Sequence, residues 1–333
     1  MERRLGLDVL KGASIVFVVF NHALLWPMRA GDLPSAFLYG TAFGTVAAFS
    51  AVAGYVQGLH PPREEWAILR KRAGQLLVPW ALWAPVYAVA PLVWQLIGGG
   101  TLPMEFRPGP WAREILLGGG PLWFLPVLFV ATAICAFLDT RTESWAPAWV
   151  ALGLYGALAV AFSPGNTSPL DLGNGTFWAV APLYVASYWL GLRISRGGAP
   201  GISHRALATV IVASMAASGL VTLYRATHTS ERWLMWLPYA IGVVGGVAAL
   251  VIAAGARHQP TGFVSWLGKG LARVGRASLG LYILHPVMVA PLALYFHGRG
   301  GVWVAAAATT VVFVAGTPVV EWARRVPVVR RFV

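Results

Sequence analysis

The sequence predicts an all-α, polytopic membrane protein of about ten transmembrane helices with both termini cytoplasmic, and three observations carry that prediction. Hydrophobic residues make up 57% of the 333 residues and charged residues only 11%, at a mean hydropathy of +0.66. An average soluble domain is about 45–50% apolar and about 25% charged, so a soluble fold would leave much of this apolar surface uncovered. Apolar runs long enough to cross a hydrocarbon core recur from Asp8 to Val320 with short breaks, and the basic residues gather on one side of the map that those runs define.

The first span is placed from Asp8 to Pro27. Arg3 and Arg4 ahead of it imitate a secretory signal, but Asp8, Lys11 and His22 interrupt the apolar run and no small-residue cleavage site follows. We read it as a retained helix. The second span runs from Ser35 to Leu59, the third from Leu76 to Ile97 after the basic Arg70-Lys71-Arg72, and the fourth from Pro121 to Leu138. The fifth covers Trp145 to Phe162, the sixth Thr176 to Leu192, the seventh Ala206 to Tyr224 and the eighth Trp233 to Gly255. Ser278 to Phe296 and Val302 to Val320 complete the set. A single membrane domain over 1–333 accounts for nearly the whole chain.

Orientation follows from the cations. With both ends inside, Arg3, Arg4, Lys11, Arg63, Arg70, Lys71, Arg72, Arg141, Arg193, Arg196, Arg205, Arg257, Lys269, Arg273, Arg276, Arg324, Arg325, Arg330 and Arg331 are cytoplasmic. Only Arg29, Arg107, Arg113, Arg225, Arg232 and Arg299 remain outside, which one topology alone satisfies. The net charge of +13 therefore reads as topology and contact with anionic lipid, not as a nucleic-acid surface. Tryptophans near the proposed ends, among them Trp26, Trp80, Trp145, Trp233 and Trp322, suit headgroup-level anchors. The longest outside connection, Gly98 to Gly120, has glycines at both ends and three prolines between, and reads as a solvated loop or a lid. The lone Cys135 excludes an intrachain disulfide, and no histidine has a metal-ligand neighbour at helical spacing.

Chemistry points to the first span. Ionisable groups inside a membrane helix are expensive unless they are paired or face a wet cavity, so their presence is a functional signal. Lys11 and His22 are eleven residues apart, which at about 100° per residue brings both to nearly one azimuth and separates them by about 16 Å of rise. Asp8 joins that face. A cation at the cytoplasmic rim with an imidazole deeper in the membrane suits a long anionic ligand whose reactive end reaches the histidine, the shape of an acyl-thioester such as acyl-CoA. A neutral imidazole there can act as general base on an attacking hydroxyl or amine. The plainer reading has Lys11 snorkelling to headgroups beside Asp8 while His22 hydrogen-bonds another helix.

The run Leu7-Asp8-Val9-Leu10-Lys11-Gly12 with His22 resembles the opening of the acyltransferase-3 family of bacterial integral membrane acyltransferases, where a histidine follows the basic residue by eleven positions. The resemblance continues through Phe49-Ser50-Ala51-Val52-Ala53-Gly54-Tyr55, Arg70-Lys71-Arg72 to Pro79, Leu122-Trp123-Phe124-Leu125, and Gly275 to His285 with Ser278, Tyr282 and His285 at their motif positions. It departs at Ala53, where the family often has serine, and at Gln75, where a second arginine is common. The resemblance implies transfer of an acyl group, most often acetyl, from acetyl-CoA to a hydroxyl of a saccharide, lipid-linked glycan or macrolide-like acceptor. His22 is then the catalytic residue with Lys11 its partner, in a bacterial plasma (inner) membrane.

Each remaining candidate keeps two readings. Arg70, Lys71 and Arg72 answer either to anionic lipid or, with Lys11, to the donor's phosphates. Trp123 is an interfacial anchor or a pocket wall. Ser278, Tyr282 and His285 share one helix face, Ser278 as interhelical glue and the other two as cavity-lining groups. His22 acts as a base on the acceptor or becomes transiently acylated itself. From a different class, a transporter or flippase for an anionic or glycolipid substrate would also use polar-spotted helices, although neither an inverted repeat nor a matched pair of broken spans is visible.

The topology is directly checkable. In a Cys135→Ala background, a membrane-impermeant maleimide should label His228→Cys in intact cells, and Gly197→Cys only after permeabilisation.

Overall fold

The computed structural model describes residues 5–25, 32–60, 65–98, 122–161, 176–197, 201–228, 234, 236–255, 262–295 and 301–326. Among these the chain is all-helical, with no strand. The order is α1 (Leu5–Leu25), α2 (Leu33–Thr41), α3 (Gly44–Gly58), α4 (Glu65–Gly98), α5 (Phe124–Asp139) and α6 (Ala146–Ala161). It continues through α7 (Thr176–Gly197), α8 (His204–Thr227), α9 (Leu237–Gly255), α10 (Gly262–Arg276), α11 (Ser278–Tyr295) and α12 (Val302–Ala323). Helices satisfy their backbone hydrogen bonds internally, which an apolar chain in hydrocarbon requires.

Among the described residues, five segments are both long and apolar enough to cross a membrane: Leu5–Leu24, Leu33–Gly58, His204–Thr227, Leu237–Gly255 and Val302–Ala323. Phe124–Asp139, Ala146–Ala161 and Ser278–Val289 are shorter apolar helices. At 34 residues, α4 is about 51 Å long and carries Arg70, Lys71 and Arg72 in its early turns. Every apolar run of the sequence overlaps a helix, with two differences in detail. The second run is broken at Ala42 and Phe43, where Ala42 N–H bonds Tyr39 O at 3.4 Å and the Thr45 hydroxyl returns to Ala42 O at 2.7 Å. Asp32 caps α2 by accepting from Ser35 N–H and the Ser35 hydroxyl. Residues 262–276, expected as part of a connection, instead form α10. The loop from 99 to 120 lies outside the described residues.

α10 is amphipathic. Lys269, Arg273 and Arg276 recur at i, i+4 and i+7 and are exposed, while Ala272 and Gly275 are buried against α1. The contact is made backbone to backbone. A Cβ on Gly275 would come 1.8 Å from Asp8 O, and one on Gly12 would come 1.9 Å from Leu271 O, so only glycine permits the approach. Arg273 then grips Glu321 of α12 through two bonds of 2.7 and 2.5 Å, and Arg324 donates to Arg276 O.

The described cations at this end sit together. Leu7, Val52, Tyr55, Ile194, Leu207 and Val251 share one apolar cluster, which brings the start of α1 to the ends of α3, α7 and α9. Arg141 pairs with Glu65 at 2.5 Å and holds its carboxyl below the usual carboxylate range by hydrogen bonding. Arg196 pairs with the buried Asp139. The opposite end of α1 meets α2, where Asn21 Nδ2 donates to Tyr39 O at 3.2 Å. The largest core cluster joins Ile15, Val19, Leu125, Leu183, Leu281, Ile283 and Val312 between the two ends.

Because Gly275 has no room for a methyl, Gly275→Ala should cost on the order of 1–3 kcal/mol by overpacking. Gly74→Ala, at a helical position with nothing within 4 Å, should be neutral or stabilising by up to about 1 kcal/mol. Thermal melts of the two purified variants check the contrast.

Candidate active site: two histidines at the centre of the bundle

The site is built from the C-terminal end of α1. His22 Nδ1 lies 2.8 Å from Val18 O, one turn back on its own helix. A carbonyl only accepts, so Nδ1 carries the proton and Nε2 is the lone-pair nitrogen of the neutral ring. The imidazole of His285, from α11, stands edge-on to it, with ring centroids 4.9 Å apart and planes inclined by 61°.

His285 is fully buried, and its setting explains its tautomer. Its Nδ1 donates to Tyr282 O at 2.7 Å. In an uninterrupted helix that carbonyl would accept the N–H of residue 286, but residue 286 is proline and has none. The His-Pro pair thus frees a carbonyl for the ring and turns the basic Nε2 away from the backbone. That Nε2 is buried with no hydrogen-bond partner, an arrangement that costs about 1–3 kcal/mol and marks a place where a ligand's polar atom fits. Tyr87 of α4 donates to Ile283 O and pins this stretch of α11.

Tyr282 lies 5.6 Å from the His285 ring and 6.2 Å from Phe124. Phe124 in turn stands 5.6 Å from Tyr184, and Trp123 stands 5.7 Å from Tyr184. Trp123 and Tyr282 are therefore parts of one aromatic wall beside the histidine pair.

At the other end of α1, Lys11 pairs with Asp8 at 2.7 Å; the lysine side chain keeps 27% exposure while Asp8 is buried. Of the basic triplet on α4, Arg70 and Lys71 are exposed and only Arg72 turns inward, bonding Gln75 at 3.3 Å and reaching the Tyr188 phenol. Tyr188 donates to Gln57 Oε1 at 2.6 Å. Gln57 Nε2 and Arg193 Nε, both donors, are buried without partners. Gln57 and Tyr188 carry no spacing signal in the sequence, and Arg193 entered there only as a cytoplasmic cation, because isolated residues near span ends do not announce a shared site.

The structure thus places the sequence-derived residues at two stations: His22, His285, Tyr282 and Trp123 at one, and Asp8 and Lys11 at the far end of α1, toward which Arg72 also lies. Among the described residues no group of three His, Cys, Asp or Glu side chains could hold a metal ion.

No curated protein and no solved structure matches this chain. A family model described as an acyltransferase domain matches residues 4–322, nearly the full length. The chain accordingly belongs to the acyltransferase-3 family, the family of membrane acyltransferases that its first-helix motif resembles.

Proposed function

We propose that this protein is a ten-span acyltransferase of a bacterial plasma membrane that moves an acyl group, most simply acetyl, from acyl-CoA to a hydroxyl of its acceptor. Family membership supplies acyl transfer; the donor, the base and the acceptor are our reading. The observation that carries it is the pair of imidazoles at 4.9 Å, each with Nδ1 committed to a backbone carbonyl and Nε2 left as the basic nitrogen.

The chemistry runs as a single transfer. His22 Nε2 takes the proton of the acceptor hydroxyl as its oxygen attacks the thioester carbonyl. The tetrahedral intermediate then collapses, the C–S bond breaks, and the imidazolium returns its proton to the departing CoA thiolate. His285 offers a second basic nitrogen against which the hydroxyl is oriented. The donor's phosphates remain at the far end of α1, where Lys11 and the inward Arg72 supply positive charge beside the unpartnered donors of Gln57 and Arg193. Arg70 and Lys71, being exposed, add long-range attraction for the same anion or for anionic lipid. About 16 Å of helix rise between Lys11 and His22 is spanned by the pantetheine arm.

The test is release of free CoA from acetyl-CoA by purified protein across a panel of saccharide and macrolide acceptors. His22→Ala should lower acceptor-dependent release by about 10²–10⁴-fold, the usual worth of a general base. Lys11→Ala should instead raise the acetyl-CoA concentration needed for half-maximal rate. Acetyl-CoA neither bound nor consumed with any acceptor, alongside uptake of an anionic substrate, would point to transport instead. A stable acyl adduct on His22, trapped in the absence of acceptor, would replace direct transfer by a two-step route.

Pro286→Ala gives a second prediction. It restores a backbone N–H that competes for Tyr282 O, so His285 loses its fixed tautomer. The acceptor-dependent rate should fall several-fold with little change in the acetyl-CoA requirement, as steady-state kinetics on both substrates would show.

A further inference from the structure

A cluster of aromatic side chains, drawn from α2, α5, α6, α7, α9 and α11 and flanked by α8, lies beyond His22 at the end of α1 away from Lys11 and forms the walls of the chamber proposed below. Asn21, the residue before His22, donates through Nδ2 to Tyr39 O at 3.2 Å, while its Oδ1 is buried with no partner. The Tyr39 ring is 5.3 Å from Phe43, and Phe43 is 4.5 Å from Tyr239. The phenol of Tyr184 is within electrostatic reach of the phenols of Tyr39, Tyr155, Tyr239 and Tyr282. Tyr155 donates to Trp236 O at 2.5 Å. The indole of Trp236 is 4% exposed, and its Nε1–H has no partner.

The chamber therefore offers ring faces, several phenolic hydroxyls, an unpaired acceptor (Asn21 Oδ1) and an unpaired donor (Trp236 Nε1), with the basic Nε2 of His285 nearby. Buried polar atoms are normally satisfied, and unpaired ones of both kinds within one aromatic cluster suit a ligand rich in both donors and acceptors. Flat aromatic faces combined with hydroxyl-scale hydrogen bonding suit the apolar and polar edges of a sugar ring.

Arg225 gives the chamber a sign. On α8, Ser218 donates to Pro238 O, beside Tyr239, and Thr222 lies against Gly40, beside Tyr39. One turn further along, Arg225 is half-buried within electrostatic reach of the Tyr39 and Tyr239 phenols. Among the described residues no carboxylate pairs with it. A half-buried guanidinium beside phenols, with no carboxylate on it among the described residues, can take an anion.

We infer that this chamber is the acceptor site and that Arg225 makes it selective for saccharides bearing an anionic group, a carboxylate or a phosphate, over neutral sugars. The inference rests on the acyl-transfer reading for what happens at His22, but the binding it asserts needs no donor.

The experiment uses the full-length protein in phosphatidylglycerol nanodiscs free of glycosidic detergent, with saturation-transfer NMR to measure binding of methyl glucoside, methyl glucuronide and a macrolide. Thermal melts confirm that each variant is folded. Expected are glucuronide binding about tenfold tighter than glucoside, loss of that preference in Arg225→Gln with its return in Arg225→Lys, and about fivefold weaker binding of both sugars in Trp236→Phe. Equal affinity for the two sugars, an unchanged preference in Arg225→Gln, or binding of neither sugar would overturn the inference. CoA release in parallel separates the two claims: sugars that bind without ever accepting an acyl group would sink the transfer reading and leave the chamber. Transfer to the macrolide with no sugar binding would do the reverse.

Discussion

The arrangement at the centre of this bundle depends on the straightness of one helix. Eleven residues of unbroken α1 return Lys11 and His22 to almost the same azimuth about 16 Å apart, so one helix face carries both a charged station and an imidazole. That geometry is held from outside. α10 lies against α1 at the distance of two backbones, because Gly12 and Gly275 lack side chains, and Arg273 fastens α10 to α12 through Glu321. On the other side, α11 presents His285 at the height of His22, with its ring turned by the carbonyl that Pro286 leaves free. Each histidine holds its Nδ1 against a carbonyl of its own helix. Both use backbone carbonyls, which fix the tautomer without bringing a charge into the membrane interior.

A functional gradient runs along that face. At the Lys11 end the described cations collect, with Asp139 and Asp8 taking Arg196 and Lys11 as partners and the donors of Gln57 and Arg193 left over. At the His22 end the lining changes to phenols and indoles, with Arg225 at its edge. On the proposed function, an anionic donor at one end and a hydroxyl-bearing acceptor at the other would meet where the two imidazoles are, which is the order that acyl transfer between two substrates requires.

Much of this was legible in the chain itself, and what was not has physical reasons. The apolar runs found their helices because hydropathy over about twenty residues is a strong signal, and the first-helix spacing of Asp8, Lys11 and His22 placed three costly groups on one face. α10 was hidden because glycines and cations match its apolar residues in number and break up the apolar run; the i, i+4, i+7 recurrence of Lys269, Arg273 and Arg276 was the usable sign of a helix lying outside the apolar runs. The break after Thr41 falls inside a continuous apolar run, which hydropathy cannot divide. The meeting of His22 with His285 spans most of the chain length, and the tyrosine chamber draws single residues from many helices, so no local spacing announces either. One signal was available and unused: proline directly after His285, which predicts an unclaimed carbonyl one turn back.

The central claim is that a donor lies along α1 with its reactive carbon at His22. A cryo-electron microscopy structure of the protein in nanodiscs with a non-hydrolysable thioether analogue of acetyl-CoA tests this most directly. The account predicts the analogue's carbonyl carbon facing His22 Nε2 with room for one hydroxyl oxygen between them, about 3 Å from each, and its diphosphate at the Lys11 and Arg72 end. An analogue seated with its carbonyl beside Lys11, or bound away from α1 altogether, would contradict it.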